Sequence, residues 1–128
     1  SLECENNLPK TLTVKADKTK IEQVFTNLID NAIKFNKDNG FIKIYSEDFS
    51  DKTRIVVQDS GAGIPQKDIH RIFERFYRAD KARSRELGGT GLGLSIVKHI
   101  IELHGGETGV ESVEGAGSGF WFTLPKIS

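Results

Sequence analysis

The stretch DKTKIEQVFTNLIDNAIKFNKDNG, residues 17–40, decides the fold. Within it Ile21, Val24, Phe25, Leu28, Ile29, Ala32 and Ile33 recur at alternating steps of three and four residues, the mark of a helix with one apolar stripe. Asp17 is placed to cap its N-terminus, and Thr19 with Glu22 has the spacing of a capping box two residues on. Lys37-Asp38-Asn39-Gly40 ends the pattern in turn residues. Such a helix needs a partner surface for its stripe, and the flanking sequence supplies strands.

On the N-terminal side, Thr11 to Lys15 alternates apolar and polar residues, which predicts a half-buried strand. On the C-terminal side, Phe41, Ile42, Ile44 and Tyr45 predict a second strand, Asp51-Lys52 a turn, and Thr53 to Gln58 a third strand antiparallel to the second. Asp59-Ser60-Gly61-Ala62-Gly63-Ile64-Pro65 breaks all periodicity. Ile69, Ile72, Phe73 and Phe76 predict a short amphipathic helix, and the charged, glycine-punctuated run from Arg78 to Gly91 a mobile loop. Leu94 to His104 returns to helix and is closed by Gly105-Gly106. Strands follow at about Glu107 to Val113 and Gly119 to Leu124. Without a βαβ rhythm, the pattern predicts an α+β sandwich: a mixed, mainly antiparallel sheet with helices on one face.

The 128 residues fit one domain, read as residues 1–128 and as a fragment of a longer chain, since it opens without methionine. Eighteen basic residues balance eighteen acidic ones, so no bulk attraction to nucleic acid is expected and any anion site is local. The single cysteine, Cys4, forms no internal disulfide, which favours a reducing compartment. No apolar run approaches the roughly 20 residues needed to span a bilayer.

Three polar elements carry chemistry. On the first helix Asn27, Asn31 and Lys34 lie at i, i+4 and i+7, one line at the rim of the apolar face. Amide oxygens are hard ligands for Mg²⁺, which takes its other ligands from water and phosphate, and lysine adds a point charge for phosphate. The same line would serve as a solvated helix face. Second, Asp59 closes an Ile/Val-rich strand and opens a glycine loop. A carboxylate only accepts hydrogen bonds, so a buried aspartate selects the donor amine of adenine over the acceptor of guanine, and the glycines let backbone approach a flat base. An ordinary Asp-Gly turn would look alike. Third, Gly88-Gly89-Thr90-Gly91-Leu92-Gly93-Leu94 opens a helix, where free N–H groups and the positive dipole end suit phosphate. It matches neither a Walker loop nor a dinucleotide fingerprint, and a flexible hinge would look similar. Arg78, Lys81, Arg83 and Arg85 precede it on the loop, as cations of a lid or of a solvated charged segment.

In this order and spacing the elements resemble the catalytic and ATP-binding domain of bacterial sensor histidine kinases, in the superfamily shared with DNA gyrase, the Hsp90 chaperones and MutL. Asn27 to Ala32 resembles the N box, Asp59 to Gly63 the first glycine box, Phe73 to Phe76 the F box and Gly89 to Gly93 the second glycine box. Phe76 to Lys81 and the Gly-Thr-Gly-Leu-Gly-Leu run are especially similar to membrane sensor kinases of the phosphate- and cell-wall-sensing type.

The resemblance implies a Bergerat-type fold, ATP and Mg²⁺ as ligands, and roles for residues. Asn31 would hold Mg²⁺, with Asn27 beside it or supporting it; Lys34 would meet phosphate; Asp59 would accept the adenine amine. Gly61 and Gly63 would shape the base pocket. Gly89, Gly91 and Gly93, with Leu92, would border the phosphates, and Arg78 would stabilise the transferred phosphoryl group, making Asn31, Lys34 and Arg78 the catalytic set. Ile64, Tyr77, Thr90 and Leu94 complete the expected nucleotide contacts. Phe35 stands where the family often has tyrosine and can stack on adenine without a hydroxyl. Hydrolysing members carry a glutamate where this chain has Asn27, so slow hydrolysis is expected. His70, His99 and His104 lack the acidic neighbour of the phosphorylated-histidine motif. The acceptor histidine would therefore lie on a separate dimerisation domain. The expected setting is the cytoplasmic part of a homodimeric kinase anchored in the bacterial inner membrane, working with a response regulator, with the fragment alone monomeric. A superfamily ATPase, a serine kinase or an inactive docking module of the same fold are the alternatives.

Overall fold

A computed structural model describes residues 3–6, 17–34, 36, 39–64, 67, 69, 71–73, 93–113 and 115–126. The elements are β1 (Glu3–Asn6), α1 (Lys18–Lys34), β2 (Phe41–Asp48), β3 (Lys52–Asp59), α2 (Gly93–Leu103), β4 (Thr108–Val113) and β5 (Gly117–Pro125). The sheet order is β1-β2-β3-β5-β4. β1 runs parallel to β2 and every other pair is antiparallel, so the sheet is mixed as expected.

Asp17 does cap α1: its Oδ1 accepts the Lys20 N–H at 3.0 Å, and its carbonyl accepts the first helical bond, from Ile21 N–H, at 2.9 Å. Thr19 lies inside the first turn, so the capping-box reading of Thr19 and Glu22 fails; one cap position exists and Asp17 holds it. Val24, Leu28 and Ala32 are buried, and Ile21, Phe25 and Ile29 pack at the margin of the core. Ile33 is half exposed at 50%, because the apolar stripe is wider than the surface that covers it. The chain turns through Asn39, at φ 60°, into β2. Asparagine tolerates that left-handed conformation.

α2 buries Val97, Ile100 and Ile101 against α1 and the sheet. It ends as the glycine pair predicts. Gly105 adopts φ 77°, its N–H bonds the Glu102 carbonyl at 3.0 Å, and the Gly106 N–H bonds the Ile101 carbonyl at 2.9 Å, a Schellman closure. The helices run antiparallel, and α2 is tied at both its ends to the α1 segment. The Asp17 N–H donates to His104 Nε2 at 3.0 Å, and Asn27 Nδ2 donates to the Gly93 carbonyl at 3.3 Å.

Strand alternation supplies the facing layer: Ile42 and Ile44 from β2, Ile55 and Val57 from β3, and Phe120, Phe122 and Leu124 from β5 join the helix residues in one core. Each such side chain contributes about 1.5–3 kcal/mol by burial. Phe25 meets Phe122 edge-on with ring centroids 5.5 Å apart. On the opposite face Arg54 stacks over Trp121 at 4.5 Å.

The strand expected at Thr11 to Lys15 lies outside the described residues, whereas β1, which carries no apolar alternation, is a strand. Of the expected helix with Ile69, Ile72, Phe73 and Phe76, the first three are in turns; Ile72 is buried, Phe73 packs edge-on against Phe120 at 6.3 Å, and Phe76 lies outside the described residues. The loop from Arg78 to Gly91 also lies outside them.

Candidate functional site

Register explains where the core ends. Ile44, Val57, Phe120 and Val110 form an apolar row across β2, β3, β5 and β4. One pleat further on, the row becomes Ile42, Asp59, Ser118 and Ser112. Because side chains alternate, Asp59 points to the same, helix-facing side as Ile55 and Val57. The strand thus delivers a carboxylate to the margin of an apolar layer, at only 8% exposure. Burial raises its pKa, and hydrogen bonds from the Gly61 N–H, at 2.9 Å to Oδ1, and the Ser118 backbone oppose the rise.

The glycine loop is built around this group. Gly63 adopts φ 77°, a conformation only glycine takes freely. The Ile64 N–H donates to Ser112 Oγ at 2.7 Å, and Ser112 Oγ also lies 2.9 Å from Ser118 Oγ. The Gly115 N–H bonds the Ala62 carbonyl. At Gly117, φ is +121° and a Cβ would collide with the Asp59 carbonyl, so the β4–β5 turn presses directly on the site.

The other expected residues gather from two directions. Asn31 lies on α1, partly exposed. Lys34 pairs with Asp30 at 3.2 Å, a solvent-exposed i,i+4 pair that a phosphate could replace at little cost. Asn27 commits its amide nitrogen to the Gly93 carbonyl, which leaves the amide oxygen as the atom able to meet a cation. That bond brings the amide line of α1 to the start of α2, where Leu94 packs on the core. The end of α1 meets the Asp59 loop through Asn36 and Ser60, 2.9 Å apart. Asn27, Asn31, Lys34, Asp59, Gly61, Gly63, Ile64, Gly93 and Leu94 therefore stand on three linked elements. Phe35, Tyr77, Arg78, Gly89, Thr90, Gly91 and Leu92 lie outside the described residues.

Among the described residues no group of three or more His, Cys, Asp or Glu is arranged to hold a metal. A cation here would draw on the amides and on the phosphates of its own ligand, which is how Mg²⁺ binds with nucleotides. Four polar residues that support the site, Asn36, Ser60, Ser112 and Ser118, carry no sequence signal of their own. Asn36 and its partner Ser60 are 24 residues apart, Ser112 and its partner Ile64 are 48 apart, and only the folded chain brings them together.

The buried Asp59 carboxylate thus stands beside a glycine loop that Ser60 and Asn36 tie to the end of α1. Residues 16–128 match the family model for "Histidine kinase-, DNA gyrase B-, and HSP90-like ATPase". The chain belongs to this family. It is similar to the sensor histidine kinase WalK of Bacillus subtilis, 46% identical over 123 residues, which cover 93% of this chain and 20% of that protein. The chain thus spans about a fifth of the length of that relative. Among solved structures, the nucleotide-free catalytic domain of histidine kinase ThkA aligns with a TM-score of 0.83 and 41% identity, covering 98% of this chain and 80% of that one. ThkA in complex with the response regulator protein TrrA aligns at 0.78 and 38% identity, over 98% of this chain and 34% of that one. Full-length ShkA in complex with AMPPNP aligns at 0.83 and 29% identity, over 99% of this chain and 26% of that one. The fold is that of histidine kinase catalytic domains.

Proposed function

We propose that this chain is the catalytic, ATP-binding domain of a sensor histidine kinase, one domain of a longer homodimeric protein anchored in the bacterial inner membrane with this part in the cytoplasm. It binds Mg-ATP, and the γ-phosphoryl group passes to a histidine on a separate dimerisation domain and onward to a response regulator. The observation that carries the reading is Asp59: a carboxylate buried at the core margin, aligned by two backbone donors, at the mouth of a glycine loop. Such a group accepts the adenine amine and leaves guanine's carbonyl unmatched. The complexes of ShkA with AMPPNP and of ThkA with a response regulator support the ligand and partner classes.

In this reading Asp59, Gly61, Gly63 and Ile64 take the base, with Phe35 stacking on it. Asn31 and the Asn27 oxygen hold Mg²⁺, which supplies charge neutralisation on the phosphates when bound. Lys34 exchanges Asp30 for a phosphate oxygen. Gly89 to Leu94 border the phosphates, Tyr77 adds a nucleotide contact, and Arg78 stabilises charge on the transferred phosphoryl group. An imidazole nitrogen of the acceptor histidine attacks the γ-phosphorus, the bond from that phosphorus to the bridging oxygen breaks, and ADP leaves. The chain's own part is to position the reactants and stabilise their charge, which is where most of the catalysis of phosphoryl transfer comes from. Asn27 in place of an acidic residue provides no base for water, so transfer outruns hydrolysis.

Calorimetric titration with a non-hydrolysable ATP analogue, with and without Mg²⁺ and with the guanine analogue as control, tests the site. Saturable, Mg²⁺-dependent binding of the adenine analogue alone is expected. Single-turnover transfer to a supplied histidine-bearing dimerisation domain tests the reaction. Binding without transfer would reduce the domain to a docking module, and no binding by folded protein would reject the nucleotide site.

A further inference from the structure

Two buried polar side chains have no role in the contacts just assigned. Asn36 is 8% exposed and Ser60 is 4% exposed. Buried amides and hydroxyls are costly unless bonded, and these two satisfy each other in a closed ring. The Phe41 N–H donates to Ser60 Oγ at 2.7 Å; Ser60 Oγ donates to Asn36 Oδ1 at 2.9 Å; Asn36 Nδ2 donates to the Phe41 carbonyl at 2.9 Å. That carbonyl also takes the Ser60 N–H at 3.2 Å, and the Asn36 N–H reaches back to the Ile33 carbonyl at 3.4 Å.

The ring sits where two halves of the site meet. Ser60 follows Asp59, which takes the base. Asn36 lies two residues beyond Lys34 and one helical turn or so beyond Asn31, which take the phosphate and metal. Phe41, the first residue of β2, holds both. A nucleotide is a two-ended ligand. It gains from both ends at once only if the two half-sites stand at the right separation before it arrives. A misplacement of about 1 Å between such halves costs on the order of a hundredfold in a reaction that needs both.

We propose that Asn36 and Ser60 are positioning residues that set the spacing between the adenine half and the Mg-phosphate half of the site. The proposal rests on the nucleotide reading above and goes beyond it by predicting that loss of the ring uncouples the ends of the ligand rather than weakening either. An ordinary structural hydrogen bond would not discriminate between ligands.

The test compares two probes on the 128-residue chain. Mg-AMPPNP uses both halves; adenosine, followed by chemical-shift titration, uses the base half alone. Ser60→Ala is expected to weaken Mg-AMPPNP about tenfold or more while changing adenosine by less than about twofold. The Ser60→Ala, Asn36→Ala double variant is expected to lose little more than either single one, because the ring acts as a unit. Ser60→Cys adds no charge, nearly keeps the side-chain volume, and replaces the hydroxyl of the ring with a weak donor and acceptor. It gives the same split if the alanine variants do not fold. Equal losses for both probes, or unchanged Mg-AMPPNP binding by folded variants, would overturn the proposal. Failure of the parent chain to bind either probe would instead reject the nucleotide reading, and this proposal with it.

Discussion

The hydroxyl of Ser112 on β4 accepts the backbone N–H of Ile64 at 2.7 Å, across 48 residues of chain. The far hairpin therefore fixes the exit of the glycine loop, as the Asn36–Ser60 ring fixes its entrance. Ser112→Ala leaves the Ile64 N–H without that partner. A net loss of about 1–2 kcal/mol is expected, read as a lower urea midpoint with unchanged slope. Affinity for the ATP analogue falls with it, because the loop that shapes the base pocket loses its outer tether. An unchanged midpoint would mean that the hydroxyl does not hold the loop.

Two glycines in the β4–β5 turn separate strain from collision. Gly115 has φ +85° and open space where a Cβ would go; Gly117 has φ +121° and the Asp59 carbonyl in the way. Gly115→Ala costs backbone strain alone, about 1 kcal/mol. Gly117→Ala must also displace the end of β3, so a loss of about 3 kcal/mol or more is expected, together with loss of nucleotide binding. Thermal unfolding of the pair checks this, and similar melting temperatures would contradict the close approach at Asp59.

The start of α1 offers a third comparison. Asp17 supplies the cap bond to Lys20 while Thr19 is inside the helix. Asp17→Ala is expected to cost about 1 kcal/mol and Thr19→Ala less than about 0.5 kcal/mol. Equal losses in chemical denaturation would restore the capping-box reading.

How much of the molecule is legible in the sequence depends on the range of the forces involved. The helix at Ile21 to Ile33 and the stop at Gly105-Gly106 are local patterns, and periodicity and glycine chemistry reveal them directly. Asp59 and its glycines are also visible, because a loop that breaks an Ile/Val strand is a local event. The strand at Glu3 to Asn6 is not. Only Cys4 in it is apolar, and the strand exists through pairing with β2 at the sheet edge. Asn36–Ser60 and Ser112–Ile64 are invisible for the same reason: their partners lie 24 and 48 residues apart, and only the folded chain makes them neighbours. The roles expected of Tyr77, Arg78 and Gly89 to Leu92 rest on resemblance, since those residues lie outside the described part of the chain.

In the proposed site Asp59 would join stability to binding through its charge. Burial raises its pKa in the folded chain above the value in the unfolded one, against the opposing bonds from Gly61 and Ser118. The stabilisation due to protonated Asp59 is therefore fully present below the unfolded value and is lost as pH rises through the folded value. At neutral pH the ionised carboxylate is a cost to the nucleotide-free fold. Asp59→Asn, oriented to keep an acceptor for the Gly61 N–H, is expected to melt at or above the parent temperature at pH 7, with the advantage vanishing in acid, where both side chains are neutral. Binding runs the other way. The adenine amine needs the carboxylate, so the variant loses about ten- to a hundredfold in affinity for the ATP analogue, about 1–3 kcal/mol. In the parent, affinity falls as pH drops through the raised pKa of Asp59. The variant lacks this component, and the difference between the two pH profiles isolates it from titration of the ligand. A variant that binds as tightly as the parent would remove Asp59 from the base pocket. One that binds weakly and also melts well below the parent at pH 7 would show that the carboxylate is held there for the fold rather than for adenine.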